Sequence, residues 1–147
     1  MDAEAYEKKI GRQAAGTFTG KPLELGGSLG RTEATGQGGV FVLNAYAKAY
    51  GIKKGATVAI QGFGNVGFWF AKLAIDSGFK DVAISDSSAG VYDKKGLNID
   101  KLLDFKNKYG SFANAAKKEK IQTISNSELL ELPVTVLVPA ALENAIN

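Results

Sequence analysis

Apolar and polar positions follow two alternating rhythms along this chain. A short apolar run, Thr57 to Ile60, leads into Gly62-Phe63-Gly64-Asn65-Val66-Gly67, and Ala71-Lys72-Leu73-Ala74-Ile75 then continues at helical spacing up to Gly78. A second apolar run, Val82-Ala83-Ile84, ends at Ser85-Asp86. Upstream, the pattern predicts a helix from Thr32 or Glu33 to Tyr50, with Val40, Leu43, Ala47 and Tyr50 on one face and Gly51 as its stop. Gly36, Gly38 and Gly39 soften its first turns, which points to close approach by a ligand or another element. Asp2 to Gln13 reads as a mostly polar helix marked by Tyr6 and Ile10, and Gly16 to Gly30 as a glycine-punctuated loop. Downstream, the expected elements are a hairpin over Gly90–Leu97 turning at Asp93–Gly96 and a helix from Asp100 to Tyr109. A strand at Ile121–Ile124, a short helix Glu128–Glu131 capped by Ser125-Asn126-Ser127, and an apolar strand Val134–Val138 follow.

Strands alternate with helices, and the last strand shows no period of two, the mark of a parallel sheet covered on both faces. The expected fold is therefore α/β: a Rossmann-like, doubly wound parallel sheet, truncated to about four parallel strands in the order 3-2-1-4. Its ligand crevice would lie at the carboxyl ends of strands 1 and 4. Gly62, Asp86 and Ala140 then fall along one edge.

The glycine motif supplies a reason for that crevice. Gly62 permits a tight strand-to-helix turn, Gly64 lets backbone close on a pyrophosphate, and Gly67 lets the helix lie close to the sheet; amides at the helix start face the anion. Glycines at this spacing also mark ordinary packing turns. Here strand, turn, helix, strand and acid occur in order, and Asp86 lies 24 positions after Gly62, close to the roughly 20-residue spacing of a carboxylate that grips an adenosine ribose. A dinucleotide site is the expectation.

Composition narrows the chemistry. The chain has 147 residues, 45% of them hydrophobic, enough for one domain with its own core. It has no Cys and no His, which removes disulfides, thiolate nucleophiles, imidazole acid–base chemistry and most transition-metal sites. No catalytic residue and no metal ligand is assigned. The net charge of +3 is mild, and Lys117-Lys118-Glu119-Lys120 reads as a solvated helix end without the aromatic interleaving of a nucleic-acid surface. The apolar runs are too short to span a bilayer, and the acidic N-terminus does not read as a secretory leader. Neither nucleic acid nor membrane is expected as a partner, and the expected location is cytoplasmic.

Five blocks together resemble the glutamate branch of the glutamate/leucine/phenylalanine/valine dehydrogenases. They are Gly20-Lys21-Pro22-Leu23-Glu24-Leu25-Gly26-Gly27-Ser28-Leu29-Gly30-Arg31, then Glu33-Ala34-Thr35-Gly36, Gln61 to Gly67, Ser85 to Tyr92, and Pro139-Ala140-Ala141-Leu142-Glu143-Asn144. The resemblance implies an inter-domain connecting helix and glycine-rich loop over residues 1–31, and an NAD(P)-binding Rossmann domain, incomplete at its C-terminus, over 32–147. It implies that Thr35 bonds the nicotinamide carboxamide and that Gly62, Phe63, Gly64, Asn65 and Val66 wrap the pyrophosphate. Asp86 and Ser87 would meet the adenosine ribose, Ala140, Ala141 and Asn144 would line the nicotinamide-ribose pocket, and Arg31 would sit near the mouth of the substrate cleft.

Cofactor choice between NAD and NADP leans slightly to NAD, because a carboxylate at Asp86 repels a 2′-phosphate; Ser87, Ser88 and Lys80 are the groups that would serve a phosphate instead. By resemblance, the parent enzyme is a homo-oligomer that oxidatively deaminates glutamate to 2-oxoglutarate and ammonia, passing hydride to the nicotinamide. The lysines and the aspartate that handle the amino acid belong to a domain outside these residues, so the isolated chain is expected to be inactive. A non-catalytic dinucleotide-binding module and a fragment of a leucine, valine or phenylalanine dehydrogenase share the same motifs.

Overall fold

The computed structural model describes residues 3–14, 16–17 and 20–142. The chain divides into two compact units, Met1–Thr32 and Glu33–Asn147. In the first, helix α1 (Ala3–Ile10) is closed by Gly11, and the Glu7 carboxylate accepts from the Ala14 amide at 2.8 Å. A 3-10 turn over Leu23–Leu25 follows, ended by Gly26 in the left-handed region.

The second unit runs α2 (Ala34–Tyr50), β1 (Thr57–Gln61), α3 (Asn65–Asp76), β2 (Lys80–Ser85), β3 (Gly90–Tyr92), α4 (Ile99–Tyr109), α5 (Phe112–Ala116), β4 (Thr123–Ile124), α6 (Asn126–Leu130) and β5 (Val136–Pro139). Local chemistry sets the boundaries. Gly51 ends α2 at φ 69°, Asn98 caps α4 by accepting from the Lys101 amide, and Gly110 closes it at φ 78°. Ser125 and Glu128 form a reciprocal capping box at the start of α6.

The sheet order is β4-β3-β2-β1-β5, with β1 parallel to both β2 and β5. The α/β class and the 3-2-1-4 order of the four expected strands are present, with a fifth strand inserted. That strand corrects the expected 90–97 hairpin. β3 pairs antiparallel with β2 across the Asp86–Ala89 turn, and on its other side antiparallel with β4. The Asp93–Gly96 turn exists, but it leads into α4 rather than into a returning strand. A three-residue strand has two edges, and its own sequence does not say what each edge will meet.

The larger core lies on one face, where Val58, Ile60, Ile84 and Val91 pack against Val40, Leu43, Ala47, Phe70, Ala74, Leu102 and Phe112. On the other, Ala59 and Ala83 pack against Leu129 of α6. Helices α2 and α3 run side by side. A Cβ at Gly36 would stand 2.7 Å from the Phe70 amide nitrogen and 2.8 Å from Trp69 Cβ, so the soft helix start admits a neighbouring helix. Tyr50 does not join the buried face: it is 70% exposed and stacks on Tyr46. Asn44 already bonds Ser77 at the end of α3, so the last turn of α2 overhangs its neighbour.

Candidate functional site

Parallel strands β1, β2 and β5 end together, and the chain leaves all three at the same edge. There a cleft of about 510 Å³ is lined by Gln61, Gly62, Phe63, Gly64, Asp86, Ser87, Lys106, Asn126, Ala140, Ala141 and Leu142. Its walls are the turn after β1, the turn after β2, and the segment after β5.

Three glycines build the first wall for different reasons. Gly62 has φ 102°, and a Cβ there would lie 2.6 Å from the Ala140 carbonyl oxygen; the turn and the end of β5 touch through backbone. At Gly67 a Cβ would collide with the Gly62 carbonyl, so this glycine seats α3 against its own turn. Gly64 differs: its φ of −89° and ψ of −165° suit any residue, and a Cβ there meets nothing within 4 Å. Among the described residues nothing makes a steric demand for glycine at this position. Gly64 is the N-cap of α3 and also lines the cleft, so the helix whose first amides lack intrahelical acceptors begins at the cleft wall.

Asp86 faces inward more than outward. It is 5% exposed; Oδ1 accepts from the Ser88 amide (2.8 Å), the Ser88 hydroxyl (2.6 Å) and the Ala89 amide (3.1 Å), and Oδ2 accepts from the Phe112 amide (3.0 Å). Burial by itself would raise its pKa, but the bonds from Ser88, Phe112 and Ala89 prevail and hold it below the usual carboxylate value. Lys106 of α4 stands 3.9 Å from Oδ2 and donates to the Phe63 carbonyl at 3.1 Å. The Phe63 ring is buried against Phe68 and Phe112.

Ser85, fully buried, gives its hydroxyl proton to Asn126 Oδ1 at 2.6 Å and lies 3.4 Å from the Gly62 amide, from which it accepts. Asn126 Nδ2 in turn donates to the Asp86 carbonyl at 3.2 Å.

The cleft thus collects Gly62, Phe63, Gly64, Asp86, Ser87, Ala140 and Ala141 from the sequence-predicted set. Asn65 and Val66 occupy the first turn of α3 and Gly67 its buried side, outside the lining. Thr35 is exposed in the first turn of α2, at the same end as the glycine turn because α2 and α3 run in the same direction, and it too stands outside the lining. Arg31 belongs to the first unit, and Asn144 lies outside the described residues.

Lys80 is corrected. It starts β2, pairs with Thr57 and sits at the opposite end of the strand from Asp86. The cation beside Asp86 is Lys106, which sequence reading missed together with Gln61 and Asn126. Lys106 and Asn126 lie 20 and 40 positions beyond Asp86, in no motif; only the Ser125-Asn126-Ser127 cap marked the second.

Comparison with known proteins adds to this geometry. Residues 26–147 match the model of the Glutamate/Leucine/Phenylalanine/Valine dehydrogenase family. The chain is 49% identical over 133 residues to a cryptic catabolic NAD-specific glutamate dehydrogenase of Bacillus subtilis, covering 90% of this chain and 30% of that protein. It is 42% identical over 136 residues to an NADP-specific glutamate dehydrogenase of Synechocystis, covering 88% and 32%. Among solved structures, a hetero-hexameric glutamate dehydrogenase from Thermus thermophilus superposes with a TM-score of 0.88 at 36% identity, covering 99% of this chain and 33% of that one. The chain spans about a third of the length of these relatives.

Proposed function

The chain belongs to the glutamate/leucine/phenylalanine/valine dehydrogenase family, and on that premise we propose that its cleft holds a pyridine dinucleotide. The observation that carries this reading is Gly64. A glycine that neither backbone geometry nor packing requires, at the start of a helix and on the wall of a cleft, is explained by a ligand that needs the space. The bound nicotinamide would accept or donate the hydride; this chain's part is to hold and orient it.

The first turn of α3 and the Gly62–Gly64 backbone receive the pyrophosphate, with Asn65 and Val66 at the helix start. Ser87 meets the adenosine ribose, Thr35 bonds the nicotinamide carboxamide, and Ala140 and Ala141, with Asn144 by the family resemblance, line the nicotinamide-ribose pocket. Asp86 plays a different part from the one its spacing suggests. With Oδ1 committed to three donors and Oδ2 to a fourth, it braces the turn that presents Ser87 more than it grips a diol. Its repulsion of a 2′-phosphate is blunted by those donors and by Lys106. The slight lean to NAD therefore loses its physical ground, and Ser87 with Lys106 provides for NADP as well.

For a protein that holds this chain together with an amino-acid-binding domain, the names of the relatives support a glutamate dehydrogenase reaction, the reversible oxidative deamination of glutamate to 2-oxoglutarate and ammonia. The homo-oligomer and the place of Arg31 near the substrate rest on the family resemblance alone. Calorimetric titration of NAD and NADP into the 147-residue chain tests the cofactor reading. Gly64→Ala should weaken both at least ten-fold while the melting temperature stays within a few degrees of wild type, whereas Lys106→Ala should weaken NADP more than NAD. Binding untouched by Gly64→Ala, or no binding at millimolar nucleotide, would overturn it.

A further inference from the structure

Ser85 is a polar residue in an apolar setting. It ends β2, two positions after Ala83 on the same face of the sheet, and both are fully buried. Ala83 packs against Leu129 of α6 without a polar group, whereas Ser85 carries a hydroxyl that is costly to bury unless it is bonded. That hydroxyl is bonded on both sides. Its single proton goes to Asn126 Oδ1 at 2.6 Å, which leaves its lone pairs to accept from the Gly62 amide at 3.4 Å. Asn126 Nδ2 then donates to the Asp86 carbonyl at 3.2 Å. The helix holds Asn126 in its turn: the Ser125–Glu128 capping box fixes the start of α6, and fully buried Leu129 anchors it to the sheet.

Gln61 and Ser85 form the last rung that pairs β1 with β2. Beyond it each strand enters its own turn, and both turns line the cleft. We propose that Ser85 is a positioning residue: its hydroxyl joins the glycine turn to the Asp86–Ser87 turn and sets the separation at which a dinucleotide engages both. This role rests on the dinucleotide reading above, in which the pyrophosphate lies on the first turn and the adenosine ribose on the second. Ser85 does not itself line the cleft, so it acts through the Gly62 peptide and the Asn126 amide. Lys106 ties the same two turns from α4, donating to the Phe63 carbonyl and standing 3.9 Å from Asp86 Oδ2, with its side chain 31% exposed. The Ser85 tie comes from the α6 face and is shut away from water, where solvent does not compete for the bond. The two turns are thus clamped from both faces of the sheet. Without the hydroxyl, the Gly62 amide loses this acceptor and the first peptide of the turn is free to tilt. Part of the ligand's binding energy then goes into restoring a separation that the unaltered protein already holds.

Calorimetric titration of NAD tests this role. Ser85→Ala should bind NAD about ten-fold more weakly than the unaltered chain, the size expected when one hydrogen bond that keeps a site ready is lost. The titration is run at a temperature where thermal melting shows both proteins folded. Ser85→Thr keeps the hydroxyl and should return the affinity to within about three-fold. In amide proton–nitrogen spectra of the ligand-free proteins, the Gly62 resonance should move in Ser85→Ala and return in Ser85→Thr. Ser85→Cys, whose thiol fills nearly the same space but bonds weakly, takes the place of Ser85→Ala if that variant does not fold. A hydroxyl that served the fold alone would lower the melting temperature and leave the NAD affinity of the folded protein unchanged, which overturns the proposal. A Ser85→Thr protein as weak as Ser85→Ala, or a Gly62 resonance that stays in place, overturns it too. Failure of the unaltered chain to bind NAD would overturn the dinucleotide reading and this role with it, whereas binding indifferent to the hydroxyl overturns this role alone.

Discussion

Two aspartates five positions apart end up in opposite electrostatic states. Asp86 is surrounded by donors and stays ionised below its usual range. Asp81, 1% exposed in β2, has no hydrogen-bond partner for either carboxylate oxygen among the described residues, and burial pushes its pKa up to about 7. It lines a small pocket with Ile75, Phe79, Leu97 and the lysines 80 and 95, neither of which forms an ion pair with it. The folded state therefore favours protonated Asp81, and the unfolded chain ionises it near pH 4. Its contribution to stability is intact below that pH, declines as pH rises toward 7 and levels off above. The full swing is of order 4 kcal/mol at most. Asp81→Asn should flatten that decline and raise the melting temperature at pH 8 relative to wild type. Coincident melting-temperature profiles for the two proteins from pH 4 to pH 8 would refute this.

At the scale of elements, glycines in one helix separate by what lies opposite them. A Cβ at Gly36 would fall inside van der Waals distance of α3 backbone, whereas one at Gly38 would meet nothing within 4 Å among the described residues. Gly38→Ala should stabilise the protein by about 0.5–1 kcal/mol, since alanine removes backbone entropy at no steric cost. Gly36→Ala should destabilise it by about 1–3 kcal/mol, because α2 and α3 must move apart. Urea denaturation of both variants checks the sign; a common sign would mean that helix propensity rather than packing governs these positions. The same local-versus-neighbour distinction explains α5. Its Ser111 cap, accepting from the Asn114 amide, follows Gly110 directly, but a five-residue helix shows too little periodicity to be seen. Yet it supplies the Phe112 amide that binds Asp86.

For the whole molecule, the described lining of the cleft fits the proposed binding of a nucleotide better than proton transfer. Among the described residues the cleft's only ionisable lining groups, Asp86 and Lys106, face each other, with Asp86 held by four further hydrogen-bond donors, so neither is disposed to take a proton from an amino acid. A steady-state assay of the 147-residue chain should show no glutamate-dependent reduction of NAD or NADP at concentrations where calorimetry detects nucleotide. Turnover would mean that these residues hold a catalytic group not visible in this arrangement. Residue order alone determined the strand–glycine–helix unit, the order of the four main strands and the Gly62-to-Asp86 side of the cleft. Each depends on neighbours a few positions apart, or on a connection whose handedness and length leave little choice. Tertiary structure decided the insertion of β3, the overhang of Tyr50, the inward turn of Asp86, and the arrival of Lys106 and Asn126 from two separate helices. Those outcomes depend on which surfaces meet after the chain has closed on itself, and a pair 20 or 40 residues apart leaves no periodic trace in the sequence.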